Sequence, residues 1–162
     1  MSDDDLEFKN PFSCIVSRLN GSGKSSFCIR LLQNFDAICT ERQIVGGIIW
    51  CYSEKTAVPE RQLLPSNTAY HEGVPEIFGG GGGDAKPCLV ILDDLLNDVY
   101  SKEVWYLFTI GSHHRYISVI LITPNLFHQG RNCRDRSLNG HYLVGFKNVR
   151  VHVLGPTSVS LR

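Results

Sequence analysis

The sequence lacks the features that mark a membrane, secreted or zinc-binding protein. No apolar run approaches the roughly 18 residues of a membrane-spanning helix. The six cysteines contain no C-x-x-C pair, and most lie inside apolar segments, which is typical of reduced core thiols rather than disulfides. The N-terminus, Met1-Ser2-Asp3-Asp4-Asp5, is acidic where a secretory signal is basic and then apolar. We therefore expect a soluble, intracellular protein.

The chain also lacks net charge, yet its charges are distributed unevenly. From Gly111 onward, Asp135 is the only acid, and the basic residues are seven: Arg115, Arg131, Arg134, Arg136, Lys147, Arg150 and Arg162. A basic third of this kind is typical of contact with a nucleic-acid backbone, because such binding is largely sequence-independent electrostatics. A solvated face or a contact surface to a neighbouring subunit explains the same charge.

The length of 162 residues predicts one domain, within which strand-like and helix-like segments alternate. We expect strands at 12–17, 47–52, 88–92, 117–123 and 142–146, a weak edge strand at 67–71, helices at 24–38 and 101–112, and a short helix beginning at 74–78. Residues 1–10 are expected to be a disordered or loosely docked acidic lead-in, and the five glycines 79–83 a flexible loop. This alternation predicts a three-layer α/β fold with a mostly parallel central sheet and ligands at the carboxyl ends of the strands.

A glycine-rich string, Asn20-Gly21-Ser22-Gly23-Lys24-Ser25, follows the first predicted strand and opens the first predicted helix. A turn in this position leaves backbone N–H groups unpaired and directed at one point, where the helix dipole also favours negative charge. The string therefore predicts a phosphate-binding loop, with Gly21 and Gly23 admitting the phosphates, Lys24 reaching the β- and γ-phosphates and the Ser25 hydroxyl binding magnesium. The backbone N–H of Ser26 is expected to add a further donor for the phosphates.

The phosphate-loop pattern is incomplete, because Arg18 stands where the full pattern G-x-x-x-x-G-K-[ST] has its first glycine. Glycine there lets the chain turn sharply without a Cβ clash, so arginine is expected to strain or tilt the loop. The alternative is an ordinary turn between a strand and a helix, in which the lysine is simply solvated.

A pair of acids, Asp93-Asp94, ends the apolar run Cys88-Leu89-Val90-Ile91-Leu92. In ATPases with a phosphate loop, a buried strand that ends in aspartate holds the magnesium, and a following acid orients the attacking water. We therefore assign Asp93 to the metal and Asp94 to water activation. The alternative is a strand-end turn in which Asp94 caps a local backbone group.

Several segments together resemble the FtsK/HerA-like genome-packaging ATPases of Polinton (Maverick) elements and adintoviruses, which are related to the packaging ATPase of poxviruses. The resemblance covers about Asn10 to Asn148. It is carried by the phosphate loop and by Trp50-Cys51-Tyr52, His71-Glu72-Gly73-Val74-Pro75-Glu76, Leu92-Asp93-Asp94-Leu95, Gly111-Ser112-His113-His114-Arg115 and Asn125-Leu126-Phe127-His128-Gln129-Gly130. The segments at 111–115 and 125–130, in this order after the acidic strand, are the most specific.

The resemblance implies a P-loop NTPase fold over residues 11–148 and a homo-oligomeric ring that hydrolyses ATP with Mg²⁺ to drive double-stranded DNA into a capsid. It further implies contact with viral capsid proteins, and a location in the nucleus or cytoplasm of a host cell. Arg115 is the candidate for an arginine that reaches the neighbouring subunit's nucleotide. Relatives continue beyond Phe146-Lys147-Asn148 with more chain, so residues 149–162 are expected to be a divergent tail on a fold shortened at its C-terminus.

Pro124 stands where the family usually has a glutamine that senses the γ-phosphate, and proline offers no polar side chain. The sensing role then moves to Thr123 or Asn125, or it is lost. Together with Arg18, this departure favours a second hypothesis, a catalytically impaired nucleotide-binding or assembly module. A small nucleotide or metabolite kinase is a weaker third hypothesis, since the sequence offers no recognisable lid-like arginine cluster.

Zinc binding by the histidines of the C-terminal half is a further alternative. The candidate ligands are His113, His114, His128, Cys133 and His141. They lack paired ligands at a spacing of two to four residues, so we expect most of them to be polar surface residues. Trp50 and Tyr52 are expected to pack in their strand, with stacking on a nucleic-acid base as the alternative.

Overall fold

A computed structural model describes residues 8, 11–17, 23–35, 46–53, 58–75, 88–95, 101–108, 116–123, 142–147, 150–154 and 159–161. These ranges contain eight strands and two α-helices. The strands are β1 Ser13–Ser17, β2 Ile48–Tyr52, β3 Thr68–Glu72, β4 Cys88–Asp93, β5 Ile117–Thr123, β6 Tyr142–Lys147, β7 Arg150–Leu154 and β8 Val159–Leu161. The α-helices are α1 Lys24–Gln33 and α2 Ser101–Tyr106, and a short 3-10 helix, Arg61–Leu63, precedes β3.

The strands form a single sheet in the order β3-β2-β4-β5-β1-β6-β7-β8. The first six strands in this order run parallel, whereas β7 and β8 are antiparallel to their neighbours. A mostly parallel sheet with helices confirms the predicted α/β class. The central strands are continuous apolar runs because parallel strands covered on both faces bury every side chain, as all seven residues of β5 do.

Two hydrophobic clusters, one on each face of the sheet, make up the core. The first contains Cys28, Leu31 and Leu32 of α1, and the second contains Val104 of α2 with Leu107 and Phe108 after it. Since α1 belongs to the β1–β2 connection and α2 to the β4–β5 connection, the two crossovers lie on opposite faces, which gives the predicted three layers.

The helices differ in length from the predictions. The sequence pattern predicts a helix over 24–38, but α1 ends at Gln33, where the Asn34 side-chain amide donates to the Arg30 carbonyl oxygen at 2.8 Å. Asparagine competes for backbone groups in this way and so favours helix ends. The second helix continues into a wider π-turn at 107–108, and the rest of its predicted range lies outside the described residues.

Both termini contribute more to the sheet than the sequence indicates. Phe8 is fully buried, although it lies in the predicted loosely docked lead-in, and its ring packs 4.8 Å from that of Phe12 and 4.7 Å from that of Tyr142. Within the predicted divergent tail, β7 and β8 extend the sheet beyond β6. Of the short helix predicted to begin at 74–78, residues 74 and 75 are not helical and residues 76–78 lie outside the described residues, as do the remainder of residues 1–10 and the glycine loop.

The described cysteines have free thiols, as predicted from their apolar surroundings. Cys14, Cys28 and Cys51 are buried and Cys88 is half-buried. Burial raises the pKa of Cys14 and of Cys51 to about 12, so both remain protonated near neutral pH. Trp50 is likewise fully buried in the first cluster, as expected of a packing residue. None of the helices in the described ranges is long and apolar enough to cross a membrane.

Candidate functional site

The strand order creates a topological switch point between β1 and β5. From β1 the chain crosses to β2, past β5 and β4, whereas from β5 it crosses in the opposite direction to β6, past β1. In open parallel sheets the crevice at the carboxyl ends of two such strands is where ligands bind. Ser17 and Thr123 are register partners at these carboxyl ends. The candidate site is therefore this edge of the sheet, from β1 across β5 to β4.

The amino end of α1 opens at the same edge. Gly23 precedes the helix with φ 77°, a left-handed conformation that glycine adopts without the Cβ penalty, and a Cβ built there meets no atom within 4 Å. The first backbone hydrogen bond runs from the Phe27 amide to the Gly23 carbonyl at 2.9 Å, which leaves the preceding amides of the first turn without helical partners. Gly23, at the N-cap position, has no side chain that could cap this end, and the first turn of α1 has no acid. An anion is thus the complementary ligand.

Asp93 lies on the α1 face of the sheet, with its side chain only 3% exposed. Side chains alternate along a strand, and Leu89 and Ile91 of β4 pack in the same cluster as Cys28 of α1. Asp93 is two residues beyond Ile91 and therefore lies on the same face of β4. It is also among the groups that act electrostatically on the Cys28 thiol. The predicted magnesium ligand therefore lies close to the helix that the predicted phosphate loop opens.

Asp94 follows with an exposed side chain and a left-handed backbone, φ 55°. Its amide donates to the Ile122 carbonyl oxygen at 3.0 Å, which fixes this conformation at the end of β4. Aspartate and asparagine adopt this conformation more readily than other residues with a Cβ, for which the left-handed conformation costs roughly 1–2 kcal/mol. The left-handed backbone thus gives a physical reason for aspartate at this position.

We expect this backbone to decide which substitutions Asp94 tolerates. Asp94→Gly and Asp94→Asn should retain the wild-type free energy of unfolding, whereas Asp94→Glu and Asp94→Ala should lose about 1 kcal/mol in urea titrations. Glu60 is a suitable control, because it is also exposed but has φ −62°. The Glu60→Gly variant should therefore be no more stable than the Glu60→Ala variant. Equal stability of Asp94→Gly and Asp94→Ala would contradict the prediction.

Thr123 ends β5 between the two halves of the candidate site. It is 1% exposed, and its hydroxyl oxygen has no hydrogen-bond partner among the described residues. A buried hydroxyl without a partner costs roughly 1–3 kcal/mol, which a ligand group can recover by accepting or donating one hydrogen bond. Thr123 is one of the two residues to which the sequence assigns the sensing role that Pro124 cannot fill.

Several predicted site residues lie outside the described part of the chain. These are Arg18, Asn20, Gly21, Ser22, Arg115, Pro124 and Asn125, together with the candidate zinc ligands His113, His114, His128, Cys133 and His141. Of the remaining predicted residues, Ser25 is half-buried and Ser26 is exposed in the first turn of α1, and the backbone of Lys24 begins that helix. The described residues hold no group of three or more histidine, cysteine or acidic side chains placed to bind a metal.

No protein-family model matches the sequence, and no curated protein matches it either.

Proposed function

We propose that the carboxyl edge of the sheet binds ATP with Mg²⁺ and that the chain is a P-loop ATPase that drives double-stranded DNA into viral capsids. The main support for the nucleotide site is that the amino end of α1 and the buried Asp93 carboxyl lie at the same edge and on the same face of the sheet. Only β5 separates β1 from β4, which corresponds to about 10 Å between the two strand backbones. This separation suits a single Mg-ATP.

The donor atoms at this edge fit magnesium. Asp93 contributes a carboxylate and Ser25 a hydroxyl, and Mg²⁺ prefers such hard oxygen ligands in combination with phosphate oxygens. When bound, magnesium neutralises charge on the β- and γ-phosphates. The Thr123 hydroxyl supplies a further polar group at the same edge, on the strand between β1 and β4.

The other roles follow from the chain's own chemistry. The amides of the first turn of α1 bind phosphate oxygens, and Lys24 adds a positive charge next to them. Asp94, exposed beside the buried Asp93, accepts a proton from the attacking water or orients it. Arg115 neutralises charge on the nucleotide of the neighbouring subunit in the ring, and the basic C-terminal third contacts the DNA backbone.

Binding of a fluorescent ATP analogue to the purified chain, with Mg²⁺ and with EDTA, tests the nucleotide site. We expect Asp93→Asn to weaken the magnesium-dependent affinity roughly 10- to 100-fold, which corresponds to the roughly 1.5–3 kcal/mol contributed by an interaction with a charged group. Affinity in EDTA should change little. Glu103→Gln on α2, which removes an exposed carboxylate from the other face, is the matched control. An Asp93→Asn variant that keeps full magnesium dependence while remaining folded would refute the site.

Phosphate release with and without double-stranded DNA separates the motor from the impaired module. The motor predicts turnover that DNA stimulates and that falls with rising salt, because contacts to phosphates release counterions. Binding without phosphate release favours the non-catalytic module, for which Arg18 and Pro124 are the sequence evidence. In that case the double substitution Arg18→Gly and Pro124→Gln should raise turnover.

A further inference from the structure

A pocket of about 700 Å³ lies at the amino end of β3, formed by the 3-10 helix Arg61–Leu63 and the turn that leads into the strand. The candidate site lies at the carboxyl ends of the strands, so this pocket is at the opposite edge of the parallel sheet. In the strand order, β3 is also four positions from β1, which corresponds to about 19 Å between the two backbones. The pocket is therefore separate from the candidate site.

Hydrogen bonds hold the walls of this pocket in place. The Leu63 amide donates to the Glu60 carbonyl oxygen at 2.9 Å in the 3-10 helix, and the Thr68 amide donates to the Pro65 carbonyl oxygen at 3.1 Å in the turn. The side-chain amide of Gln33, the last residue of α1, donates to the Leu63 carbonyl oxygen at 3.0 Å. Because these bonds form without a ligand, the pocket is largely preformed, as small-molecule sites usually are.

The pocket carries a positive charge that has no acidic partner within the described part of the chain. The Arg61 guanidinium lies 5.5 Å from the centroid of the Tyr70 ring, and the Tyr70 hydroxyl donates to the Pro59 carbonyl oxygen at 2.8 Å. The Glu60 carboxylate instead accepts from the Gln62 side-chain amide at 2.6 Å. A guanidinium that stacks on a ring keeps its N–H donors in its own plane, where they can still bind a carboxylate. An anion therefore complements Arg61.

Thr68 is a second and independent indication of a ligand. It lines the pocket and is only 7% exposed, yet its hydroxyl oxygen has no hydrogen-bond partner among the described residues. A buried hydroxyl without a partner destabilises the free protein, and a hydrogen bond to a bound molecule recovers that loss. Leu64 and Pro65 add an apolar wall to the same pocket.

We propose that this pocket binds a small molecule with a carboxylate at one end and an apolar body. The carboxylate pairs with the Arg61 guanidinium and accepts from the Thr68 hydroxyl, while the apolar body packs on Leu64 and Pro65. The volume of the pocket lies within the roughly 300–1,000 Å³ of small-molecule sites. The proposal goes beyond the nucleotide site and shares no residue with it.

A ligand-observed NMR titration of the purified full chain with phenylacetate tests the pocket, and the uncharged phenylacetamide is the matched compound. We expect Arg61→Gln to weaken phenylacetate binding roughly 10-fold, because it removes a hydrogen bond between charged groups. Phenylacetamide should bind the wild type more weakly than phenylacetate does, and Arg61→Gln should not change its affinity. Lys102→Gln, which removes an exposed charge from α2 on the other face, should leave phenylacetate binding unchanged.

Thr68→Val separates a ligand-binding role from a packing role, because valine keeps the shape of threonine and removes the hydroxyl. We expect it to weaken phenylacetate binding roughly 3- to 10-fold while the urea midpoint of the free protein stays the same or rises. Thr68→Ser retains the hydroxyl, so its affinity should remain within about twofold of wild type.

Four results would overturn the proposal: no saturable binding of phenylacetate, equal binding of phenylacetate and phenylacetamide, unchanged binding by Arg61→Gln, or unchanged binding by Thr68→Val. A lower urea midpoint of Thr68→Val together with weaker binding would also overturn it, since that result indicates packing alone. Because these measurements contain no nucleotide, each of these outcomes leaves the proposed ATP site untouched.

Discussion

Lys24→Ala is expected to abolish ATP turnover, with a fall in kcat on the order of 100-fold or more. The backbone of Lys24 begins α1 directly after Gly23, at the end of the helix whose first amides have no helical partners, and we propose that its charge acts on the same bound phosphate. A preorganised donor directed at developing charge typically contributes 10²- to 10³-fold to rate. Phosphate release under saturating ATP and Mg²⁺ is the measurement.

The control for this substitution is Lys102→Ala, which removes an exposed lysine from α2 on the opposite face of the sheet. Its turnover should match that of the wild type. Because alanine is a better helix former than lysine, the Lys24→Ala variant should remain folded, and a thermal melt checks this. Wild-type turnover by a folded Lys24→Ala variant would exclude the phosphate-loop interpretation and with it the ATPase.

The central sheet could be predicted from the sequence because its strands are buried on both faces. Runs such as β4 and β5 contain little except apolar side chains, and in a strand of this length that pattern has few other interpretations. The edge position of β3 was also predictable, since its alternation of small, aromatic and polar residues is typical of a strand with one open side. β7 and β8 could not be predicted in the same way, because β7 pairs with β6 and β8 with β7, and neither strand is a continuous apolar run like β4 or β5.

The site shows the same division between local pattern and tertiary placement. The acidic pair and the glycine-rich string before α1 were recognisable from residue types alone. That Asp93 and α1 lie on the same face of the sheet could not be predicted from residue types. It depends on the alternation of side chains along β4 from Leu89 and Ile91 to Asp93, and on the handedness of the crossover, which decides the face that α1 covers. The left-handed backbone of Asp94 has no signal in the strand pattern.

Phe12→Ala is expected to have the largest effect on stability, a loss of about 3–5 kcal/mol in the free energy of unfolding. Phe12 is fully buried immediately before β1, and its ring lies 4.8 Å from that of Phe8, 6.3 Å from that of Phe35 and 6.1 Å from that of Tyr142. Removing the ring therefore opens a cavity where the N-terminal segment, the chain just after α1 and β6 meet. It also removes aromatic contacts of roughly 0.5–1.5 kcal/mol each.

The backbone at Phe12 makes this loss cooperative. Its amide donates to the Ser118 hydroxyl oxygen at 3.1 Å, and its carbonyl oxygen accepts from the Val119 amide at 2.8 Å, so the ring and the β1–β5 pairing are anchored at one residue. Domains of this kind are stable by only about 5–15 kcal/mol, so the variant should approach the limit of folding in urea titrations. Leu63→Ala, at a side chain that is 41% exposed, should cost less than about 0.5 kcal/mol. A loss below about 1 kcal/mol for Phe12→Ala would mean that the aromatic cluster does not anchor β1, and that its pairing with β5 and β6 holds the strand in place.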